Sequence, residues 1–89
     1  MVMYTLRNRL GYNRLGITVG SKVGGAVVRN RVRRRIREIY RLNEHKLSRS
    51  VDIVVVARVS CRDATYKEME RAFYGACVKA QLLATADKP

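Results

Sequence analysis

The side chains best suited to bind a charged ligand are concentrated in one segment, RNRVRRRIREIYR, which runs from Arg29 to Arg41. It holds seven arginines and a single acid, Glu38, in thirteen residues. A guanidinium group is always charged, and its planar donors match phosphate oxygens in pairs. A segment of this composition therefore predicts a partner that carries phosphate groups.

If the segment is a helix, its apolar residues and most of its arginines fall on different sides. At about 100° per residue an apolar stripe falls on one side; it consists of Val28, Val32, Ile36 and Ile39. Beside it lies an arginine band, at about 60° to 200° from Val32, made of Arg29, Asn30, Arg33, Arg34, Arg37 and Arg41. Like charges four residues apart repel by a few tenths of a kcal/mol per pair, and Glu38, at about 240°, lies outside the band. We therefore predict that the arginine band binds nucleic acid.

Composition supports this interpretation. The chain has 89 residues and a formal net charge of +12, with 47% hydrophobic residues. This length allows one small domain over residues 1–89, and the hydrophobic content excludes a disordered basic tail. So much like charge requires a polyanionic partner, with nucleic acid the first candidate and an anionic membrane surface the second. No apolar run approaches the roughly 20 residues of a membrane span.

Other residues capable of chemistry form no recognisable site. His45 is the only histidine, and with Cys61 and Cys77 it does not match a zinc pattern. Glu68 and Glu70 lie about 200° apart on a helix, too far round it to share a metal ion or a proton. We expect no catalytic residue, metal ligand or cofactor on the protein. Two unpaired thiols without a secretory signal predict a reducing, cytoplasmic location.

A loop ahead of the arginine helix also invites comparison with a phosphate site. The segment VGSKVGGAV contains Lys22, Gly24 and Gly25, but it lacks the spacing of a nucleotide-binding phosphate loop. The glycines are expected to turn the chain into the helix. Lys22 remains a candidate contact for an RNA phosphate.

Periodicity predicts the elements that position these residues. Strands are expected at Met1–Leu6, Arg14–Gly20 and Val51–Arg58, and helices at Ala26–Lys46 and from Thr65 to about Ala84. The short connection predicts that the first two strands form an antiparallel hairpin. The apolar run of the third strand predicts burial on both faces. Two helices packed on a sheet indicate an α/β arrangement.

The second helix carries two further signals. Thr65 followed by Glu68 is a capping box that begins it. An apolar stripe recurs at spacings of three and four and predicts its core face; it comprises Tyr66, Met69, Phe73, Ala76, Cys77, Ala80 and Leu83. A cysteine on that face behaves as a small hydrophobic residue, so we expect Cys77 to be a free thiol without a disulfide to Cys61.

The segment RLGITVGSKVGGAVVRNRVRRRIREIYR, residues 14 to 41, closely resembles the signature region of the bacterial ribonuclease P protein subunit. In that family an Arg-Leu-Gly strand, a Ser-Lys-Lys-like loop, Gly-x-Ala-Val and an Arg-Asn-Arg helix follow in the same order. The strand DIVVVAR and the closing helix match as well. The resemblance covers about Val2 to Leu83.

The resemblance implies an α+β two-layer sandwich, ribosomal protein S5 domain 2-like, with a small mixed sheet, two packed helices and a left-handed βαβ crossover through the Arg-Asn-Arg helix. It implies that the protein is the small basic partner of a catalytic RNA, and that this RNA removes the 5′ leader of precursor tRNA. The holoenzyme is an endoribonuclease, a hydrolase. Its RNA holds the Mg²⁺ ions and performs the chemistry, and the protein alone is noncatalytic.

Site residues carry over at matching positions. The expected RNA contacts are Lys22, Arg29, Asn30, Arg31, Arg33, Arg34, Arg37 and Arg41. Tyr4 matches an aromatic, leader-contacting position of the first strand. Arg14 and Thr18, on the polar face of the second strand, are expected to line a groove beside Tyr4.

The chain departs from the family pattern at three places. Where the loop of the family usually reads Ser-Lys-Lys, this chain reads Gly20, Ser21 and Lys22, so one lysine is lost, and Gly25 replaces a frequent asparagine. The family begins with a helix that carries a Phe-x-x-x-Phe-like motif, and we expect that helix to be missing here. The alternatives are a structural RNA-binding protein of the ribosomal type and a protein enzyme acting alone. The oligomeric state is left open.

Overall fold

Residues 1–83 are described by a computed structural model. Within them three strands form one sheet, and two helices pack on it. The elements are β1 (Val2–Arg7), β2 (Arg14–Val19), α1 (Ala26–Asn43), β3 (Val51–Ala57) and α2 (Tyr66–Lys79). Short 3₁₀ turns follow β2 at Ser21–Val23, α1 at Glu44–Lys46 and β3 at Val59–Arg62. The prediction of a small α+β fold with a mixed sheet and two helices is confirmed.

The sheet order is β1-β3-β2, so the predicted hairpin of β1 and β2 is wrong. β3 is antiparallel to β1 and parallel to β2. The connection between β1 and β2 bonds to the segment before β3 instead of closing a turn. The Asn8 N–H donates to the Ser50 carbonyl at 2.8 Å, and the Asn13 side chain exchanges hydrogen bonds with Ser48 and Val51. These long-range bonds leave the central position to the apolar strand β3.

Only one face of β3 is covered, so the prediction of burial on both faces is also wrong. Val51, Ile53, Val55 and Ala57 are buried in a core shared with both helices, whereas Val54 on the other face is 40% exposed. The helices lie on the same side of the sheet. We call the uncovered side the open face.

Helix α1 packs on the sheet through the predicted apolar stripe. Val32, Ile36 and Ile39 are buried, and Val28 packs against the same core. The α-helix ends at Asn43, and the 3₁₀ turn Glu44–Lys46 completes the predicted span. Since β2 and β3 are parallel neighbours joined through α1, the unit is a βαβ crossover. Its left-handedness stays a prediction from the resemblance.

Helix α2 begins with the predicted capping box. The Glu68 N–H donates to Thr65 Oγ1 at 3.2 Å, and the Thr65 N–H donates to the Glu68 carboxylate at 2.9 Å. The helix ends at Lys79, earlier than predicted, because Gln81 adopts a left-handed φ of 55°. Ala84, the predicted end, lies outside the described residues.

The apolar stripe of α2 is core, as predicted. Met69, Phe73, Ala76, Cys77 and Leu83 are buried, and Tyr66 and Ala80 are partly buried against them. Both cysteines are free thiols in the core. Burial raises the pKa of the Cys77 thiol to about 11, so it remains an uncharged apolar group.

Within residues 1–83 no helix is long and apolar enough to cross a membrane.

Candidate nucleic-acid interface

The arginine band lies on the side of α1 that turns away from the sheet. Arg29 and Arg33, next to the apolar stripe, are half-buried, as expected of positions at the edge of the core. The remaining members are exposed; they are Asn30, Arg34, Arg37 and Arg41. The Arg33 guanidinium donates to Asn30 Oδ1 at 3.1 Å, which links two neighbouring members of the band. The structure thus brings together all six residues that the helical wheel grouped.

No carboxylate neutralises this band within residues 1–83, where the one ion pair joins Arg14 and Asp52. The single acid of α1, Glu38, faces α2 instead. Burial, followed by the charges of Glu38 and Glu70, raises the pKa of the Tyr66 hydroxyl. The positive charge of the band is therefore not neutralised by the described part of the chain. One donor of the band, Nε of Arg29, is buried and has no hydrogen-bond partner among residues 1–83.

Arg31, the third residue of the Arg-Asn-Arg motif, lies apart from the band. Its Nη2 donates to the Arg62 carbonyl at 2.9 Å, on the flank of α1 that faces the 3₁₀ turn Val59–Arg62. One helical turn later, Arg35 Nη1 donates to the Ala64 carbonyl at 3.2 Å. Both guanidiniums hold the segment that leads into α2. Arg35 was not among the predicted contacts, although its i,i+4 spacing from Arg31 could have placed the two together.

Lys22 lies close to the N-terminus of α1. It is exposed in the 3₁₀ turn Ser21–Val23, whose Val23 is buried at 2% exposure. Gly24 follows, and a Cβ there would lie 2.8 Å from Cβ of Val28. The glycine is therefore required by the close approach of this loop to α1, which agrees with its predicted role as a turn into the helix.

The open face of the sheet carries the three predicted leader contacts. The strand register aligns rows across it: Leu6, Asp52 and Arg14; Tyr4, Val54 and Gly16; Val2, Val56 and Thr18. Residues directly opposite one another project to the same face. Tyr4, Arg14 and Thr18 therefore share this face, but β3 separates Tyr4 from the other two by about 10 Å, twice the strand spacing.

The open face is apolar on the β1 side and carries an ion pair between Arg14 and Asp52 on the β2 side. Tyr4 is 62% exposed and Leu6 71% exposed on the β1 side. On the β2 side Arg14 donates twice to Asp52, from Nε at 2.8 Å and from Nη2 at 2.6 Å. The hydrogen bond from Arg14, followed by that from Asn8, lowers the pKa of Asp52 to about 2. Arg14 thus presents donors whose charge is already balanced.

Metal-ligating residues are not clustered in the part of the chain described here. No three His, Cys, Asp or Glu side chains among residues 1–83 come together in a possible site. The Glu68 carboxylate is engaged in the capping box of α2.

A domain with this fold, an uncompensated arginine helix and an open strand face belongs to the class of small basic α+β proteins with a surface suited to a polyanion. A family model described as ribonuclease P matches residues 1–81. The chain belongs to that family, which confirms the resemblance seen in the sequence.

Relatives and solved structures that resemble this chain are ribonuclease P proteins as well. The ribonuclease P protein component of Alkaliphilus metalliredigens is 48% identical over 83 residues, which are 93% of this chain and 75% of the relative. That of Clostridioides difficile is 51% identical over 73 residues, 81% of this chain and 64% of the relative. The structure of the Staphylococcus aureus RNase P protein matches with a TM-score of 0.83 at 31% identity, covering 92% of this chain and 75% of that one. The Thermotoga maritima RNase P protein matches with a TM-score of 0.76 at 30% identity, covering 82% and 70%.

Proposed function

We propose that this chain is the protein subunit of ribonuclease P, a tRNA-processing endoribonuclease. It binds the catalytic RNA through α1 and contacts the 5′ leader of precursor tRNA through the open face of the sheet. The observation that carries the proposal is the arginine band, six residues of one helix with no carboxylate partner in the described chain. Membership of the ribonuclease P family supports the identity of the polyanion.

Phosphate binding by the arginine band follows from its electrostatics. Each phosphate that the protein neutralises releases condensed counterions, so log K falls with log salt concentration by about 0.7 to 0.9 for every contact. Arg34, Arg37 and Arg41 are exposed and unpaired within residues 1–83, so they can reach phosphates without breaking an ion pair. Arg33 is oriented by Asn30 and loses less side-chain entropy on binding.

Leader binding is assigned to the opposite side of the domain. Exposed Tyr4 lies between Leu6 and Val2 along β1 and beside Val54 on β3. A single-stranded RNA base can stack on such a ring, and one stacked base contributes about 1–3 kcal/mol. Gly16 lies in the same row as Tyr4 and Val54, and because it has no side chain it leaves room on the open face for the RNA leader. Thr18 adds a hydroxyl, and Arg14 adds oriented donors without net charge.

Catalysis is assigned to the RNA subunit and its Mg²⁺ ions, as the family resemblance implies. The protein contributes binding and orientation. Because the arginine band and the open face lie on opposite sides of the domain, one surface can hold the RNA subunit while the other holds the substrate.

The test is a cleavage assay with ribonuclease P RNA and precursor tRNA at low Mg²⁺ concentration, with and without the protein. We expect the protein to accelerate cleavage at the mature 5′ end relative to RNA alone. A rate equal to that of RNA alone would refute the proposal and favour a structural RNA-binding protein of the ribosomal type. Cleavage by protein without any RNA would refute the assignment of catalysis to the RNA subunit.

A further inference from the structure

The flank of α1 opposite the arginine band carries a second group of cations. Arg31 and Arg35 lie at about 260° and 300° from Val32, outside the range of the band. Arg58 and Arg62, which begin and end the stretch following β3, are exposed next to them. We call these four residues the second flank.

The topology of the sheet brings these residues together. Parallel strands β2 and β3 end at the same edge, and each is followed by a 3₁₀ turn. The two turns are in contact, and both are fixed to the core, one through Val23 at 2% exposure and the other through Cys61 at 5%. The segment that carries Arg58 and Arg62 is therefore a rigid part of the fold rather than a free loop.

Two of the guanidiniums are held in place by neutral groups. Arg31 donates to the Arg62 carbonyl and Arg35 to the Ala64 carbonyl, so neither charge is cancelled. A guanidinium has five N–H donors, and one bond to a carbonyl leaves the others for a ligand. Ordering a free arginine side chain on binding costs conformational entropy. Here the fold has already ordered both side chains, which favours binding of a further anion.

Acidic residues do not balance the second flank. Asp63 is the one carboxylate between Arg58 and Ala64, and it forms no ion pair within residues 1–83. The next acid, Glu68, is engaged in the capping box. Four arginines therefore stand against two exposed carboxylates, that of Asp63 and that of Glu38, which lies three residues after Arg35 on α1.

The second flank continues the arginine band around the start of α1. Arg34 and Arg31 lie at about 200° and 260°, so the solvent side of the first two turns carries cations from the band to Arg62. Glu38 interrupts this surface only one turn further along. A polyanion lying on the band can thus cross the helix near its start without meeting a carboxylate of α1.

On the basis of the proposed function, we propose that the RNA subunit crosses the start of α1 and that its phosphodiester backbone contacts the second flank as well as the band. Arg58 and Arg62 contact phosphates directly, while Arg31 and Arg35 hold the segment that carries them and offer their remaining N–H donors to the same backbone. The leader is not the ligand of this surface, because the open face lies on the other side of the sheet.

The experiment measures binding of the full chain to ribonuclease P RNA in the absence of precursor tRNA, from 50 to 200 mM salt. Three double variants each remove two charges, from +12 to +10: Arg58→Gln with Arg62→Gln, Arg33→Gln with Arg37→Gln, and a matched control, Arg9→Gln with Arg71→Gln. Arg9 lies in the connection between β1 and β2, and Arg71 is on the exposed side of α2. Thermal unfolding of each variant checks that it is folded before binding is compared.

We expect both the second-flank and the band variants to reduce the slope of log K against log salt by about 1.4 to 1.8, two phosphate contacts each. The control is expected to change it far less. If the second-flank variant behaves like the control while the band variant loses its slope, this inference is wrong and the proposed function stands. If neither reduces the slope, the arginine helix is not the RNA-binding surface and both fail.

A charge-conserving variant separates phosphate binding from structural damage. Arg58→Lys with Arg62→Lys retains two cations and should retain most of the slope. The same loss in the lysine variant as in the glutamine variant would attribute the effect to a disturbed turn and would overturn the inference.

Discussion

Replacement of Tyr4 by alanine tests the open face of the sheet. The side chain is 62% exposed and makes no hydrogen bond within residues 1–83, so its removal should leave the fold largely intact. If one leader base stacks on the ring, the variant loses about 1–3 kcal/mol of binding free energy. This corresponds to a 5-fold to 150-fold weaker affinity of the holoenzyme for precursor tRNA at 25 °C. Affinity for mature tRNA, which has no leader, should not change.

The assay compares the dissociation constants of precursor and mature tRNA for the holoenzyme, with leaders of decreasing length. Tyr74→Ala is the matched control, because this tyrosine is 49% exposed but lies on α2, away from the open face. The ratio of precursor to mature affinity should fall for the Tyr4 variant only. An equal loss for both substrates would refute a leader contact, and so would an unchanged ratio with the longest leader.

Two further predictions concern stability. Gly24→Ala places a Cβ 2.8 Å from that of Val28, so it should lower the free energy of unfolding by about 1–3 kcal/mol. Urea titration measures this, and Gly25→Ala, where a Cβ meets no atom within 4 Å, is the control. The second prediction concerns pH. Because the pKa of Asp52 falls from 3.8 to about 2 on folding, its contribution to stability is present above pH 4 and disappears as the pH falls toward 2. Asp52→Asn should flatten the loss of unfolding free energy across this window, and an identical pH dependence in both proteins would contradict the role of the ion pair.

Several features of the candidate site were predictable because they depend on residues close in sequence. The arginine band and the apolar stripe are set by the 3.6-residue period of one helix. The capping box joins Thr65 to Glu68, only three positions further along the chain, and the core stripe of α2 follows the same helical period. In each case the neighbours that decide a side chain's position lie within a turn or two of it, and the structure agrees with the prediction.

The arrangement of the strands was decided by tertiary structure. A short connection between β1 and β2 favoured a hairpin, yet the hydrogen bonds of Asn8 and Asn13 join that connection to residues 48–51, more than 30 positions away. The same pairing places Asp52 opposite Arg14 and balances its charge. It also leaves one face of β3 open, which its apolar sequence did not indicate.

For the arginine helix, too, some properties follow from the sequence and others only from the folded chain. The net charge of +12 and the spacing of the arginines can both be read from the sequence, and they predicted a polyanion-binding helix. Only the folded chain separates Arg31 and Arg35 from the band, because the carbonyls they bind belong to a segment about 30 residues further on. Helical period depends on the backbone of the helix itself, whereas hydrogen-bond partners on another element depend on how the elements pack.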